Sequence, residues 1–389
     1  MRCLLILPVA LAATLAGAAT RFVQDQCGPF TDVSALFCPY VLEAYYTGIT
    51  VGTSPTTFSP DMPMTRGQAA VFVTKGLNQA LARGSRRAAL GQWWTTTPQY
   101  ANGLGSTTVG NYPRHVAFDG ADLWVANGGG PNSVSRVRAS DGKVLETWTN
   151  WTGSNGVLVA MGRVFVTGDG QPGQNTGGLY MIDPSQSAGS VTEVADNLGV
   201  VPLGIAFDGS RIWTADYGGR SVSIVTPGST FPWAVTTVKG FSLPEGILFD
   251  GTNVWVSDFG AGTLLRLDAA GNVQQTVAVG SHPLYPVFDG TNIWVPVNGT
   301  NSVSIVRAST GVVVANLTGN GLASPYSAAF DGERVLVTNA TPPGFSLWKA
   351  ADLTPIGTMS TGSIPWGACS DGLNFWITTG EALGQLWRF

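Results

Sequence analysis

Phe207-Asp208-Gly209-Ser210-Arg211-Ile212-Trp213-Thr214-Ala215-Asp216 is a stretch that the chain writes again as Phe249-Asp250-Gly251-Thr252-Asn253-Val254-Trp255-Val256-Ser257-Asp258, and in part as Phe288-Asp289-Gly290-Thr291-Asn292-Ile293-Trp294-Val295. In each copy a short apolar segment runs into an Asp-Gly pair, whose glycine tolerates the positive φ of a tight hairpin. A second apolar segment carrying a tryptophan follows, then a polar, glycine-rich loop. The turn glycine recurs at 120, 162, 209, 251, 290, 332 and 372, at intervals of 42, 47, 42, 39, 42 and 40 residues. Seven units with room for four short strands each predict a repeat fold. The third strand is copied almost literally, as Ser-Val-Ser-Ile-Val at 221–225 and 302–306 and Ser-Val-Ser-Arg-Val at 133–137. Its period of two marks a strand with one buried face. The second unit lacks the Phe-Asp pair, and the sixth has Leu336 where others carry tryptophan.

One such unit cannot bury both faces of its sheet. Neighbouring units hide those faces, and radial closure removes the exposed ends. The expected fold is therefore mainly β, a seven-bladed β-propeller over residues 104–389. Trp124, Trp213, Trp255, Trp294 and Trp376 fall at equivalent positions and are expected to pack between adjacent sheets. The motif Pro-x-x-x-x-Phe-Asp-Gly-x-x-Ile-Trp-Val resembles the repeats of YVTN/NHL-type and virginiamycin-B-lyase-like propellers. That resemblance implies the fold and leaves binding and catalysis both open. The seventh unit, from Ile364 to Phe389, supplies only three strands. Val109-Gly110 repeats the spacing by which Val279-Gly280 precedes its Asp-Gly turn, so Gly105 to Val109 reads as a spare fourth strand. It is expected to pair antiparallel with Leu386 to Phe389 and close the ring, leaving no open sheet edge there.

With a net charge of −4 and only 11% charged residues, the chain has no basic face for nucleic acid. Arg2, the apolar run Leu4 to Ala13 and the small residues Ala16-Gly17-Ala18 read as an export signal over residues 1–19. No later stretch is long and apolar enough to span a bilayer. Export permits disulfides, and Cys27 and Cys38 are close enough in sequence to pair. Cys369 reads as a buried free thiol. No Cys or His cluster has metal-ligand spacing.

Residues 20–90 have a different composition. Val41, Leu42, Tyr45 and Tyr46 show helical spacing before Gly48. Thr65-Arg66-Gly67-Gln68 reads as a capping box ahead of a helix whose face carries Ala70, Val73, Leu77 and Leu81. Phe30-Thr31-Asp32-Val33, Gly48-Ile49-Thr50-Val51-Gly52, Phe58-Ser59-Pro60 and Met64-Thr65-Arg66-Gly67-Gln68-Ala69 resemble, in order, the landmarks of an S-layer homology (SLH) module. The resemblance implies a small α-helical unit that attaches exported bacterial proteins to cell-wall polysaccharide or peptidoglycan, with Asp32, Thr65 and Arg66 on its signature positions. The family's usual acid after Thr-Arg is Gln68 here, and one module is present where three are usual. A structural cap or dimerisation element is the alternative. Residues 91–103, with Trp93-Trp94, read as a linker or docking segment.

Antiparallel alternation puts the start of strand one and the end of strand two of every blade on one face, around the central opening. The first set holds Arg114, His115, Glu245, His282, Tyr285, Tyr326 and Trp366. The second holds Asn127, Asp169, Asp216, Asp258, Asn298 and Asn339. Such a polar ring with aromatics suits a neutral or cationic ligand such as a glycan or peptide; the bland alternative is Asx-turns that satisfy loop N–H groups. Asp216, Glu245 and Asp258 come from adjacent blades and are candidate ligands for a hard cation, Ca²⁺ or Mg²⁺. His115 and His282, with Glu245, are the candidate acid–base groups. Two functions stand: a wall-attached propeller that presents a binding face for a glycan, peptide or protein, or an exported lyase or lactonase working at the central opening.

Overall fold

The computed structural model describes residues 27–82, apart from 28, 35–36 and 47–48, and residues 105–389, apart from 150, 170–174, 190 and 381–382. The signal (1–19) and linker (91–103) segments read from the sequence lie outside the described residues. The chain divides into two compact units, 1–101 and 102–389.

In the first unit, helix α1 spans Cys38–Tyr46 and helix α2 spans Arg66–Ala82. A disulfide joins Cys27 to Cys38, whose Cα atoms are 5.3 Å apart. A small core gathers beside it from Phe30, Val33 and Val41, with Tyr45 and Phe58 against them. Phe30 packs edge-on against Tyr45 and Phe58 at 5.1 and 5.7 Å. Gly52 has φ +79°, and any side chain there would strike the Phe30 ring and the Thr57 carbonyl. Of the apolar stripe expected on α2, the two described side chains are exposed, Val73 at 70% and Ala70 beside it, while those of Leu77 and Leu81 lie outside the described residues.

The described residues of the second unit form seven four-stranded antiparallel sheets, each with its strands in chain order, apart from the last. Blades 1 to 6 span 113–149, 157–198, 202–239, 244–278, 287–317 and 325–360. The seventh takes three strands from 365–388 and its fourth from the other end of the unit. Gly105 pairs with Arg388, Ser106 with Trp387, Thr107 with Leu386 and Thr108 with Gln385. The ring is thus shut by the antiparallel pairing expected from the spacing.

Seven apolar layers fill the gaps between neighbouring blades. Trp124 lies in the layer between blades 1 and 2, Trp213 between 3 and 4, Trp255 between 4 and 5, Trp294 between 5 and 6, and Trp376 between 7 and 1. Phe165 and Leu336 take that role in the two units without the tryptophan. These indoles are fully buried, yet each keeps a polar partner. Trp213 Nε1 donates to Asp208 Oδ2 at 2.7 Å, five residues back on the other side of the turn. Asp119, Asp250, Asp289 and Asp371 accept from Trp124, Trp255, Trp294 and Trp376 in the same way. The other oxygen of each aspartate accepts the backbone N–H groups of the turn, as Asp208 does from Ser210 and Arg211. An arginine covers several of these rings, Arg211 over Trp213 and Arg136 over Trp124 among them. In blade 6, where Leu336 has no N–H to offer, Arg334 Nε donates to Asp331 instead.

Candidate functional site

The first strand of each blade begins with a proline in blades 1, 3, 4, 6 and 7 (Pro113, Pro202, Pro244, Pro325, Pro365). Two residues on, blades 2, 3, 4 and 7 carry Gly156, Gly204, Gly246 and Gly367, and blade 6 carries Ser327. The reason is steric. A Cβ at Gly204 would meet the Glu245 carbonyl of the next blade, one at Gly246 the Leu284 carbonyl, and one at Gly367 the Arg114 carbonyl. First strands of neighbouring blades therefore touch backbone to backbone, and hydroxyls bridge them. Thr378 Oγ1 donates to the Arg114 carbonyl at 2.9 Å, and Ser257 Oγ to that of Leu284 at 2.5 Å.

Two blades break this rule with a ring. His115 occupies the position in blade 1 and Tyr285 in blade 5, and their ring centroids lie 4.3 Å apart. Blades 1 and 5 are not neighbours, so the two rings meet across the centre of the propeller. His115 Nδ1 is 2.9 Å from the Asn155 carbonyl, which makes that nitrogen the protonated one and leaves the lone pair on Nε2. Nε2 is buried without a protein hydrogen-bond partner. Burial pushes the imidazole down to about 4 and the Arg114 charge adds to this, while the Asn155 carbonyl resists it, so the ring is neutral at pH 7.

Glu245, Tyr326, Trp366 and Arg114 surround this pair. Tyr285 and Tyr326 are 5.3 Å apart between ring centres, and Tyr326 meets Trp366 edge-on at 4.8 Å. Glu245 is only 7% exposed. Burial raises its carboxyl to about 7, against the opposing pull of the Tyr285 hydroxyl and the Arg114 charge. Both phenols are pushed above their usual range, first by burial and then by neighbouring groups, Glu245 among them, so they remain O–H donors. Five of the expected residues, Arg114, Glu245, Tyr285, Tyr326 and Trp366, thus come together with His115 from blades 1, 4, 5, 6 and 7.

The remaining expectations fare differently. His282 is exposed, in a left-handed conformation (φ +60°), and stacks on Phe259 at 4.3 Å and 13°. Its environment is unlike that of His115. Asn127 and Asn339 do not face a ligand: both are buried at the end of strand two, Asn127 donating to Ser133 and Ser135 and Asn339 to Ser346. Asn298 is one residue out of register, because Val297 holds the position of Asp216 and Asp258 in blade 5. It is half-buried, and its Nδ2 donates to the Pro325 carbonyl at 3.4 Å. Asp169 is displaced by one in the same way and is exposed.

Asp216, Glu245 and Asp258 do not form the expected cation site. Among the described residues no three His, Cys, Asp or Glu side chains converge on a point. The cause is local bonding. Asp216 accepts from the hydroxyls of Thr214, Ser221 and Ser223, and Asp258 from the N–H groups of Ser242, Leu243 and Ala261. These carboxylates are engaged within their own blades, and only Glu245 belongs to the axial group.

In the first unit Asp32 is likewise engaged, accepting the N–H groups of Phe58 and Ser59 at 2.8 and 2.7 Å. The Phe58 bond holds its carboxyl below the usual range, opposed by desolvation and assisted by the Ser59 bond. Thr65 and Gln68 form a reciprocal capping box, with Thr65 N–H donating to Gln68 Oε1 at 2.9 Å and Gln68 N–H to Thr65 Oγ1 at 3.2 Å. Arg66 is exposed on the first turn of α2, beside an open surface depression with Ala69, Ala70 and Val73.

Two positions of the site were not anticipated, Gly128 and Gly380, which directly follow strand two in blades 1 and 7. A Cβ at Gly380 would collide with the Trp366 indole, and one at Gly128 with the Arg114 guanidinium. Each large side chain lies down on a glycine. Blades 3 and 4 carry Tyr217 and Phe259 at the same place, 6.3 Å apart. The signal available in the sequence was that pairing of a large residue at the start of strand one with glycine after strand two.

Comparison with known proteins agrees with this geometry. Residues 29–70 match the S-layer homology domain. The propeller is similar to a catalytically inactive variant of virginiamycin B lyase from Staphylococcus aureus solved with quinupristin. Identity is 16% and the TM-score 0.60, over 73% of this chain and 98% of that one. A streptogramin B lyase (16%, TM-score 0.59, 73% and 97% covered) and the WD40 β-propeller domain of Doa1 (11%, TM-score 0.59, 74% and 96% covered) have the same fold. At these identities the likeness is one of fold. No curated protein matches the sequence. No helix among the described residues is long and apolar enough to cross a membrane.

Proposed function

We propose that this is an exported bacterial envelope protein whose N-terminal module binds a cell-wall polymer, polysaccharide or peptidoglycan, and whose propeller presents a ligand-binding face. The observation that carries the reading is the match of residues 29–70 to the S-layer homology domain. Local geometry supports it. The capping box fixes the start of α2 and leaves the Arg66 guanidinium free in solvent. A planar guanidinium with several N–H donors suits an anionic group on a wall polymer through charge-assisted hydrogen bonds. Asp32 serves the same surface indirectly, by fastening the Phe58-Ser59-Pro60 loop. The second unit has its own closed set of apolar layers, so removal of the module leaves the propeller core intact.

Sedimentation with purified sacculi tests the proposal. The mature chain is expected to pellet with the walls, a variant lacking residues 20–90 to stay in the supernatant, and Arg66→Ala to bind at least tenfold more weakly. Equal retention of the truncated protein would refute wall attachment through the module.

A further inference from the structure

The propeller face around the axis is not uniform. Over blades 7 and 1 the side chains that begin strand one, Trp366 and Arg114, lie flat on Gly380 and Gly128. Trp366 is half-buried, held from below by the glycine backbone and at its edge by Tyr326. The indole therefore keeps an accessible surface close to the strand ends. Tyr326 touches its edge and carries a hydroxyl, and the next blade brings the exposed Arg114 with several N–H donors. The His115 and Tyr285 rings meet across the axis, 4.3 Å apart. A ligand that fits must place an apolar face on an aromatic plane and, at its rim, present hydroxyls that both donate and accept. A pyranose ring has that construction, with C–H bonds on its faces and hydroxyls around its edge.

We infer that the mouth of the propeller over blades 6, 7 and 1 is a saccharide-binding site, with a sugar ring stacked on Trp366 and its hydroxyls held by Arg114. This rests on the reading of the propeller as a binding platform and gives that platform a ligand class. Gly380 and Gly128 are positioning residues: they act by letting Trp366 and Arg114 lie down. The sugar can belong to an amino-sugar chain, as in a wall glycan, or to a plain glucan, and the two are separated by the probes below. A peptide ligand is the competing class.

The test is calorimetric titration of the full mature chain with chitotetraose, cellotetraose and, as the peptide probe, N-acetyl tetraalanine amide. At least one oligosaccharide is expected to bind and the peptide not to. Trp366→Ala should weaken sugar binding at least tenfold and Trp366→Phe by less. Gly380→Val, which lifts the indole while leaving it in the chain, should weaken it about as much as Trp366→Ala. Thermal melts of each variant identify any loss that reflects unfolding, and Trp366→Phe keeps the test decisive if Trp366→Ala does not fold. The chain lacking residues 20–90, whose propeller core is intact, should keep the parent's affinity for the soluble oligosaccharide, so sugar binding by the propeller and wall attachment by the module fail separately. Binding of neither sugar, binding of the peptide alone, or sugar affinity within twofold of the parent in folded Trp366→Ala and Gly380→Val would overturn the inference.

Discussion

Glu245 shows how one residue's surroundings set its chemistry. Its carboxyl is raised to about 7 by burial, with the Tyr285 hydroxyl and the Arg114 charge acting against this. A folded-state value above the unfolded one means that the folded chain holds the proton more tightly. Stability contributed by this group should therefore fall as pH rises from about 4.5 to about 7, with the full cost present above that. The two phenols stay protonated over this window. His115 carries the opposite dependence: burial holds it at about 4, below its unfolded value of 6.5, so its contribution rises with pH over that range, and the Glu245 effect is read as the difference between parent and variant. Glu245→Gln is expected to stabilise the protein at pH 8 by on the order of 1–3 kcal/mol and to leave it unchanged at pH 4, as thermal melts at both pH values will register. Asp216, raised to about 6 by burial despite the hydroxyls of Ser223, Thr214 and Ser221, keeps its own weaker dependence in the variant. The convergence of Glu245 with Tyr285, Tyr326 and Trp366 was legible in the sequence because each opens a first strand. The burial of Asn127 and Asn339 was not, since period-two alternation places a side chain at a strand end without saying whether a neighbouring serine will take its hydrogen bonds.

Within each blade, the first hairpin is tied by a bond that reaches across its own turn. The aspartate of the Asp-Gly pair takes the turn's N–H groups on one oxygen and the indole N–H on the other. Burying an indole without a partner costs about 1–3 kcal/mol, so the aspartate permits the tryptophan to fill the layer between blades. It also accounts for the constant five-residue spacing from Asp to Trp. The sequence displayed that spacing in five units, but turn formation and apolar packing each explained half of the motif, and the bond joining the halves stayed hidden. A double-mutant cycle between Asp250→Asn and Trp255→Phe should give a coupling energy of about 1–2 kcal/mol, read from urea melts. Strict additivity would mean that the bond contributes nothing. At the helical end of the chain the capping box was legible in full, whereas the exposure of Ala70 and Val73 was not, because apolar spacing is silent on whether enough core exists to cover a face.

At the scale of the whole propeller, the fold is a circle of seven apolar layers, and the layer between blades 7 and 1 depends on a strand from each end of the unit. Removing residues 105–109 should uncover the last strand, leave the Leu386 side of that layer half-built and lower the melting temperature by well over 5 °C, with aggregation on heating as the exposed edge finds partners. A melt superimposable on that of the intact chain would show that blade 7 stands on three strands. The seven-fold count and the closing partner were legible because the repeat is counted in residues. The axial pair was not, because only the ring of blades reveals that His115 and Tyr285, in blades that never touch side by side, share its centre. The closure also fixes an order of events. Gln385 donates to Thr108, 277 residues away along the chain, so one half of the clasp emerges near the start of propeller synthesis and waits for the other until nearly the end. Blades 1 to 6 can each form hairpins as they appear, since their contacts are local, whereas the ring stays open until the final strand arrives. A propeller cut short by its last few residues therefore has all its other strands and no sealed ring.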